Sequence, residues 1–235
     1  MNFGRTIYEG PSLIDGGPIF VVALPSVHNV KTGPATQSYI MRQDMSPMEA
    51  ANTGEDYSIC GNCVHRGSTK DRSCYVTLFQ GPRTVYNTYK RGGYPVGRPK
   101  DLPRILWVRL GTYGDPAAVP REVWDELVKG TPGWTGYSHS PHVQDLSDLC
   151  MASVETEEQA RVWQAQGWST YRTRSPGERL IRGEAQCPAA EEAAGHAVTC
   201  GSCMKCNGQK GSVSIEVHGS THLRKRFKIN QEARA

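Results

Sequence analysis

"RILWVRLGTYGDPAAVPREVWDELVKGTPGWTGYSHS", residues 104–140, decides how this chain folds. "RILWVRLG" is an apolar run of strand length, broken by the turn residues of "GTYGDP". "PREVWDELVKG" then shows helical spacing, with Pro120 at an early position and Gly130 past the end. "WTGYSHS" reads as the next strand. Further along, "LCMASV" is a strand, "ETEEQARVWQAQG" a helix stopped by Gly167, "WSTYRTR" a strand, and "SVSIEVHG" a last strand. Strands alternating with helices imply parallel pairing through right-handed crossovers. A closed eight-fold barrel typically needs about 250 residues, and this chain has 235. The expectation is a single α/β domain over 1–235, built as an incomplete (β/α) barrel-like parallel sheet. A doubly wound open sheet is the alternative.

Upstream of residue 104 the reading is an irregular N-terminal region. "PIFVVALPS" is a buried strand closed by Pro25. "SPMEAAN" is a short helix capped by Ser46, with Glu49 completing a capping box. "GPRTVYNTYKRGG" is a helix with Gly92 as its stop, and "YPVGRPKDLP" is a loop.

Ligands in both candidate architectures meet the C-terminal ends of the strands. Gly111, Tyr113, Gly114 and Asp115 fall just past one strand, His139 and His142 past the next, Ser153 and Glu155 past the third, and Arg172 and Arg174 past the fourth. Bland readings stand beside these. Asp115 before Pro116 also suits a cap. Glu155 and Thr156 begin a helix, where an acid favours the positive end of the dipole.

Seven of the eight cysteines form two groups. Cys60, Cys63 and Cys74 lie in "SICGNCVHRGSTKDRSCYV", and Cys187, Cys200, Cys203 and Cys206 lie in "CPAAEEAAGHAVTCGSCMKC". Cys150 sits in an apolar stretch and reads as a core residue. The second group offers four thiolates, a complete shell for zinc or an iron–sulfur cluster, so 187–206 is expected to be an embedded cysteine-rich metal-binding segment. His218 and His222, downstream, are possible replacements for one of its cysteines.

The first group has three thiolates, with His65 or His28 as a possible fourth ligand if the site is zinc. A [4Fe–4S] cluster held by three cysteines leaves one iron without a protein ligand. In radical S-adenosylmethionine enzymes that iron takes the amino and carboxylate groups of S-adenosyl-L-methionine, and electron transfer to the sulfonium gives a 5′-deoxyadenosyl radical. On this reading Tyr75 packs near the adenine, and Gly111 and Gly114 let backbone approach the cosubstrate. Asp115 holds its ribose or amino group, Ser153 lies at the same rim, and Arg172 and Arg174 clamp a phosphate or carboxylate. Tyr113 and Asp115 are the candidate catalytic residues.

Composition is neutral toward these readings. Charged residues are 21% and of both signs, and the net charge is +4. No apolar run reaches the roughly 18 residues of a membrane span. The first residues lack a basic stretch followed by a long apolar one, so neither membrane nor signal peptide is expected. Clustered thiols fit the host cytoplasm, where they stay reduced.

"SICGNCVHR…SCYV…GPRTVYNTYKRGGYP", "RLGTYGDPAAVP", "MASV" and "CPAAEE…TCGSCMKC" together resemble a group of small tailed-phage cysteine-cluster proteins, from about residue 28 onward. The resemblance implies an association with the radical SAM-type isomerases of phage thymidine hypermodification. Those move a glycine on the 5-methyl carbon of thymidine from nitrogen to α-carbon attachment. It implies a modified nucleotide or phage DNA as substrate and an electron donor of the host as reductant. The usual signature of radical SAM enzymes is C-x-x-x-C-x-x-C, whereas this chain has C-x-x-C and a third cysteine eleven residues on.

Two other functions fit parts of the pattern. A zinc-containing transglycosylase-like base-exchange enzyme would use Asp115 as nucleophile and the 187–206 group as its zinc site. A nucleic-acid-binding protein with structural zinc sites would use the basic tail "HLRKRFKINQEAR", where Arg224, Lys225, Arg226 and Lys228 cluster.

Overall fold

The computed structural model describes residues 4–26, 32–102, 106–190 and 198–232. His28, the beginning of the strand expected from Arg104, and positions 191–197 of the cysteine-rich segment lie outside them.

Nine strands form one open sheet in the order β1-β2-β3-β4-β5-β6-β7-β9-β8. β1 (Arg5–Pro11), β2 (Pro18–Ser26) and β3 (Ala35–Arg42) are antiparallel neighbours. From β3 onward every pairing is parallel: β4 (Val108–Tyr113), β5 (Trp134–Ser138), β6 (Met151–Val154), β7 (Thr170–Arg174), β9 (Ser212–Glu216) and the edge strand β8 (Glu184–Gln186). The α/β class and the parallel pairing agree with the expectation. The N-terminal region does not: it is an antiparallel three-stranded extension, not an irregular segment. Its β3 completes the parallel set by pairing with β4 through Thr36 and Gln37. The buried strand expected over residues 18–26 is β2, whose Ile19 through Ala23 are wholly inaccessible. β3 escapes the reading because it is covered on both faces, with Ala35, Ile40 and Met41 wholly inaccessible, and so loses the alternation by which a strand is recognised.

Helices cover the sheet where the spacing predicts them. α1 (Pro47–Thr53) has Ser46 as its cap, whose hydroxyl accepts from the Glu49 backbone N–H. α2 (Tyr57–Cys60) follows at once and carries the first cysteine of the first group. α3 (Gly81–Lys90) sends Val85 and Tyr86 into the core, and its Tyr89 ring stacks on Phe20 at 3.6 Å between centroids. α4 (Arg121–Val128) buries Trp124 and Leu127, three residues apart on one face. α5 (Glu157–Ala165) begins at Thr156, which forms a capping box with Gln159. The helix therefore starts later than Glu155, and the Glu155 carboxylate is not spent on the dipole. α6 (Cys200–Cys203) and α7 (Thr221–Glu232) complete the set. The basic tail is thus a helix, fastened by the buried Phe227 against the His65 ring at 5.5 Å. Cys150 is wholly buried in the main core. No helix among the described residues is long and apolar enough to cross a membrane.

Candidate functional site: one cavity between two cysteine groups

Alternate residues of the parallel strands line one cavity of about 370 Å³. β4 contributes Arg109, Gly111 and Tyr113; β5 contributes Thr135 and Tyr137, with His139 just beyond. Ser153 comes from β6, Tyr171 and Thr173 from β7, and Val213 and Ile215 from β9. The period of two is that of one sheet face. Both cysteine groups line this cavity, Cys60, Cys63 and Cys74 together with Cys187, Cys200, Cys203 and Cys206.

The first group is built by a short helix and a closing loop. The Cys60 and Cys63 backbones continue the turn of α2, through bonds to Asp56 and to Cys60. The loop then returns, and the Ser73 and Cys74 amides both donate to the His65 carbonyl. Buried Asp56 holds this loop through Arg66, whose Nη2 lies 2.8 Å from Oδ1. Burial, followed by the charges of Cys63, Asp56 and Cys74, pushes the Cys60 thiol well above its ordinary range, and Arg72 opposes that. Arg72 itself hydrogen-bonds Cys74, while its Nε and Nη1 are buried without a hydrogen-bond partner.

The second group is the crossover from β8 to β9. The Cys187 amide donates to Ser214 of β9, and the Cys206 carbonyl accepts from Gly136 of β5, each at 2.8 Å. Between them Thr199 caps α6, and Met204 ends it with φ of 47°, a left-handed conformation uncommon for a residue with a side chain. Burial pushes the Cys206 thiol up to about 12. A hydrogen bond with Tyr137 pulls it down, and the charges of Cys187, Cys200 and Cys203 add to the rise.

Two expected residues at the rim take other roles. Arg172 and Arg174 share one face, as their spacing requires, but it is the face opposite Tyr171 and Thr173, which line the cavity. Arg172 is wholly buried and fully engaged: Nε and Nη2 donate to Glu184 at 2.8 Å, Nη1 to Glu178, and Nη2 to the Arg179 carbonyl. Arg174 pairs with Glu216 at 2.7 Å and with Gln186. Neither is the anion clamp expected of it. Both tie β7 to the strands that carry the second cysteine group.

Asp115 lies at the rim, 5% exposed, but acts as a cap. Its Oδ1 accepts from the Ala117 amide at 2.9 Å and its Oδ2 from the His139 amide at 2.8 Å. Burial raises its pKa, against the opposing effects of His139 and these hydrogen bonds. The glycines also have a local reason. A Cβ on Gly111 would stand 2.5 Å from the Gly114 carbonyl, and one on Gly114 would stand 2.6 Å from Ile40. With φ of 65° and 87°, the turn itself requires them, and both also line the cavity.

Other expected residues do reach the cavity. Tyr113, 2% exposed, places its hydroxyl near Cys60 with no hydrogen-bond partner. Tyr75 stacks on His218 at 5.0 Å, and both line the cavity. His142 and His222 are exposed. Sequence reasoning missed Arg109 and Tyr137. The Arg109 guanidinium lies over the Tyr137 ring at 5.7 Å, and its Nε is buried without a hydrogen-bond partner. Its signal was there: Arg109 is a cation in the middle of an apolar strand, two residues before Gly111, hence on the same face.

A second cluster adjoins the first cysteine group. Glu155 Oε1 lies 3.2 Å from His65 Nε2 and 3.4 Å from His139 Nε2. Among the described residues, these three alone bring three metal-type ligand atoms within 4.8 Å of one another. No trio of cysteine sulfurs there is so close. Comparison of the chain with family models, with curated proteins and with solved structures finds no match.

Proposed function

We propose that this chain is an iron–sulfur enzyme of the radical S-adenosylmethionine type. In line with its resemblance, we propose the glycine-bearing thymidine of phage DNA hypermodification as its substrate, isomerised within the cavity. One observation carries the reading: a three-thiol group and a four-thiol group both line a single cavity on one face of a parallel sheet. A curved, barrel-like sheet enclosing that cavity belongs to the same proposal, as does metal binding by the 187–206 segment.

Seven thiols gathered in two groups on one cavity fit the ligands of a bound metal or cluster. Buried thiols that raise one another's pKa, as at Cys60 and Cys206, also call for bound positive charge, since coordination deprotonates a thiol outright.

Cys60, Cys63 and Cys74 would hold the cluster that, when bound, supplies one electron to the sulfonium of S-adenosyl-L-methionine. The remaining work falls to the chain. Arg72 compensates thiolate charge. Arg109 and Lys205 give the cavity cationic wall positions for a carboxylate or phosphate. Tyr137, Tyr171, Val213 and Ile215 exclude water from the reacting carbon. Asp115 orients the backbone at His139. In the isomerisation the methylene–nitrogen bond breaks and a methylene–Cα bond forms. The α hydrogen is replaced by that bond and nitrogen gains a hydrogen, so composition is unchanged. The transglycosylase alternative loses ground because both oxygens of its nucleophile, Asp115, are engaged. Closed structural zinc sites for nucleic-acid binding would not need a shared cavity.

Protein purified anaerobically should be brown, contain acid-labile sulfide and, with reductant, convert S-adenosyl-L-methionine to 5′-deoxyadenosine. Colourless protein holding stoichiometric zinc would overturn the proposal.

A further inference from the structure

The His65–His139–Glu155 cluster adjoins the first cysteine group, with His139 hydrogen-bonded to Cys63, but supplies none of that group's thiols. We infer that His65 Nε2, His139 Nε2 and Glu155 Oε1 form a mononuclear site for a divalent first-row metal ion, with an open position toward the cavity.

The distances are those of a coordination shell. Ligand bonds of about 2.1 Å put neighbouring donors roughly 3.0 Å apart in an octahedron and about 3.4 Å apart in a tetrahedron. The two nitrogens stand 3.2 and 3.4 Å from the same carboxylate oxygen. Two imidazoles converge on one carboxylate oxygen, and His139 also hydrogen-bonds the Cys63 thiol. A shared cation answers that arrangement of donors.

Each ligand is also held from behind, as metal sites require. The His65 Nδ1 pairs with the Ser73 hydroxyl at 2.9 Å, which leaves Nε2 for the ion, and Asn230 of α7 donates to the same hydroxyl at 3.1 Å. His139 is set by its amide bond to Asp115 Oδ2. The Glu155 amide is set by Gln159 Oε1 at 3.0 Å. Phe227 covers one face of the His65 ring. The three side chains come from the first cysteine loop and the ends of β5 and β6, so the site exists only in the folded chain.

Two imidazoles and one carboxylate are the donor set of mononuclear zinc hydrolases and of ferrous facial-triad sites. Three protein ligands leave at least one position. His65 and His139 both line the cavity, whereas Glu155 lies behind them. The open position therefore faces the space in which Arg109 also sits, where it would take water or an anionic oxygen ligand such as a carboxylate.

The test compares total first-row metal and acid-labile sulfide in full-length wild type, Glu155→Gln and His139→Gln, all purified anaerobically. The expected result is one metal ion fewer per chain in each variant, with sulfide unchanged. Sulfide reports the cluster separately, so a protein without iron–sulfur chemistry still gives the one-ion difference if this site is real. Equal metal content in wild type and variants overturns the inference. Should the variants not fold, wild type washed with chelator and reloaded with Co²⁺ decides. One equivalent taken up with d–d bands and no thiolate charge transfer supports the site, and the absence of any such thiolate-free uptake sinks it. Ser73→Ala, which leaves all three ligands in place, should weaken Co²⁺ binding about 10-fold or more. An unchanged affinity would count against the site.

Discussion

The two cysteine groups face one cavity but are built on different principles. The first is carried by a helix and a returning loop, has three thiols, and keeps a buried guanidinium, Arg72, within hydrogen-bonding reach of Cys74. The second has four thiols and no arginine among the groups that shift Cys206. It hangs between β8 and β9, held by backbone bonds from Cys187 and Cys206 and by the Arg172–Glu184 pair at the base of β8. A complete four-thiol shell can be satisfied by metal alone. A three-thiol shell leaves coordination for something from the cavity, and its surplus charge is met by the protein. Under the proposed function, this difference assigns chemistry to the first group and support to the second.

The largest expected effect breaks this asymmetry directly. Ala at Cys60, Cys63 or Cys74 should abolish 5′-deoxyadenosine formation, measured by chromatography after anaerobic reduction, while Cys150→Ala retains it. If Cys203→Ala is equally dead and the three first-group variants are active, the roles are reversed. Next comes the anchor of the second group. Arg172→Met leaves Glu184 buried without its cation and should cost about 3–5 kcal/mol in denaturant unfolding. Metal should be lost from the second group before the first, and a variant that keeps full metal content and stability would refute the anchoring role.

A smaller effect belongs to the wall between the groups. Arg109→Ala removes a charge-assisted contact of about 1.5–3 kcal/mol. KM for the anionic substrate should rise roughly 10- to 100-fold, at one factor of ten per about 1.4 kcal/mol, with the cluster spectrum unchanged. An unaltered KM would place the substrate elsewhere.

The smallest effect concerns Asp115. Asp115→Asn keeps one oxygen acceptor but cannot accept from the Ala117 and His139 amides together, and should cost about 1 kcal/mol in acid, leaving cosubstrate affinity unaltered. Because burial raises this carboxyl, the folded state holds its proton more tightly than the unfolded chain does. Its contribution is fully present below the unfolded value of 3.8 and is lost as pH rises through the folded pKa. The stability of wild type relative to the Asp115→Asn variant should therefore fall across that window and level off above it. A flat difference would mean that the carboxylate is already compensated.

Much of the parallel half is legible because its elements are locally coded. Thr156 with Gln159, Pro120 before α4 and the buried pair Trp124 and Leu127 announce their helices in a few residues. β3 and β8 are not legible. β3 is buried on both faces and has no alternation, and the three residues of β8 exist as a strand only because β9 and Arg172 hold them.

At the site, the sequence alone determined the ligand inventory, since the count and spacing of thiols are covalent facts: three in one group, four in the other, Cys150 apart. It also determined that Arg172 and Arg174 share a face, because a strand repeats every two residues. Which face that is, only the tertiary structure decided. Arg172 engages Glu184 and Glu178 away from the cavity, whose lining instead includes the cations Arg109, on the inner face of the parallel strands, and Lys205. The same holds for His65, His139 and Glu155. They are separated by 74 and 16 positions in the chain, and only the parallel register of β5 and β6, with the first cysteine loop folded over their ends, brings three donors to one point.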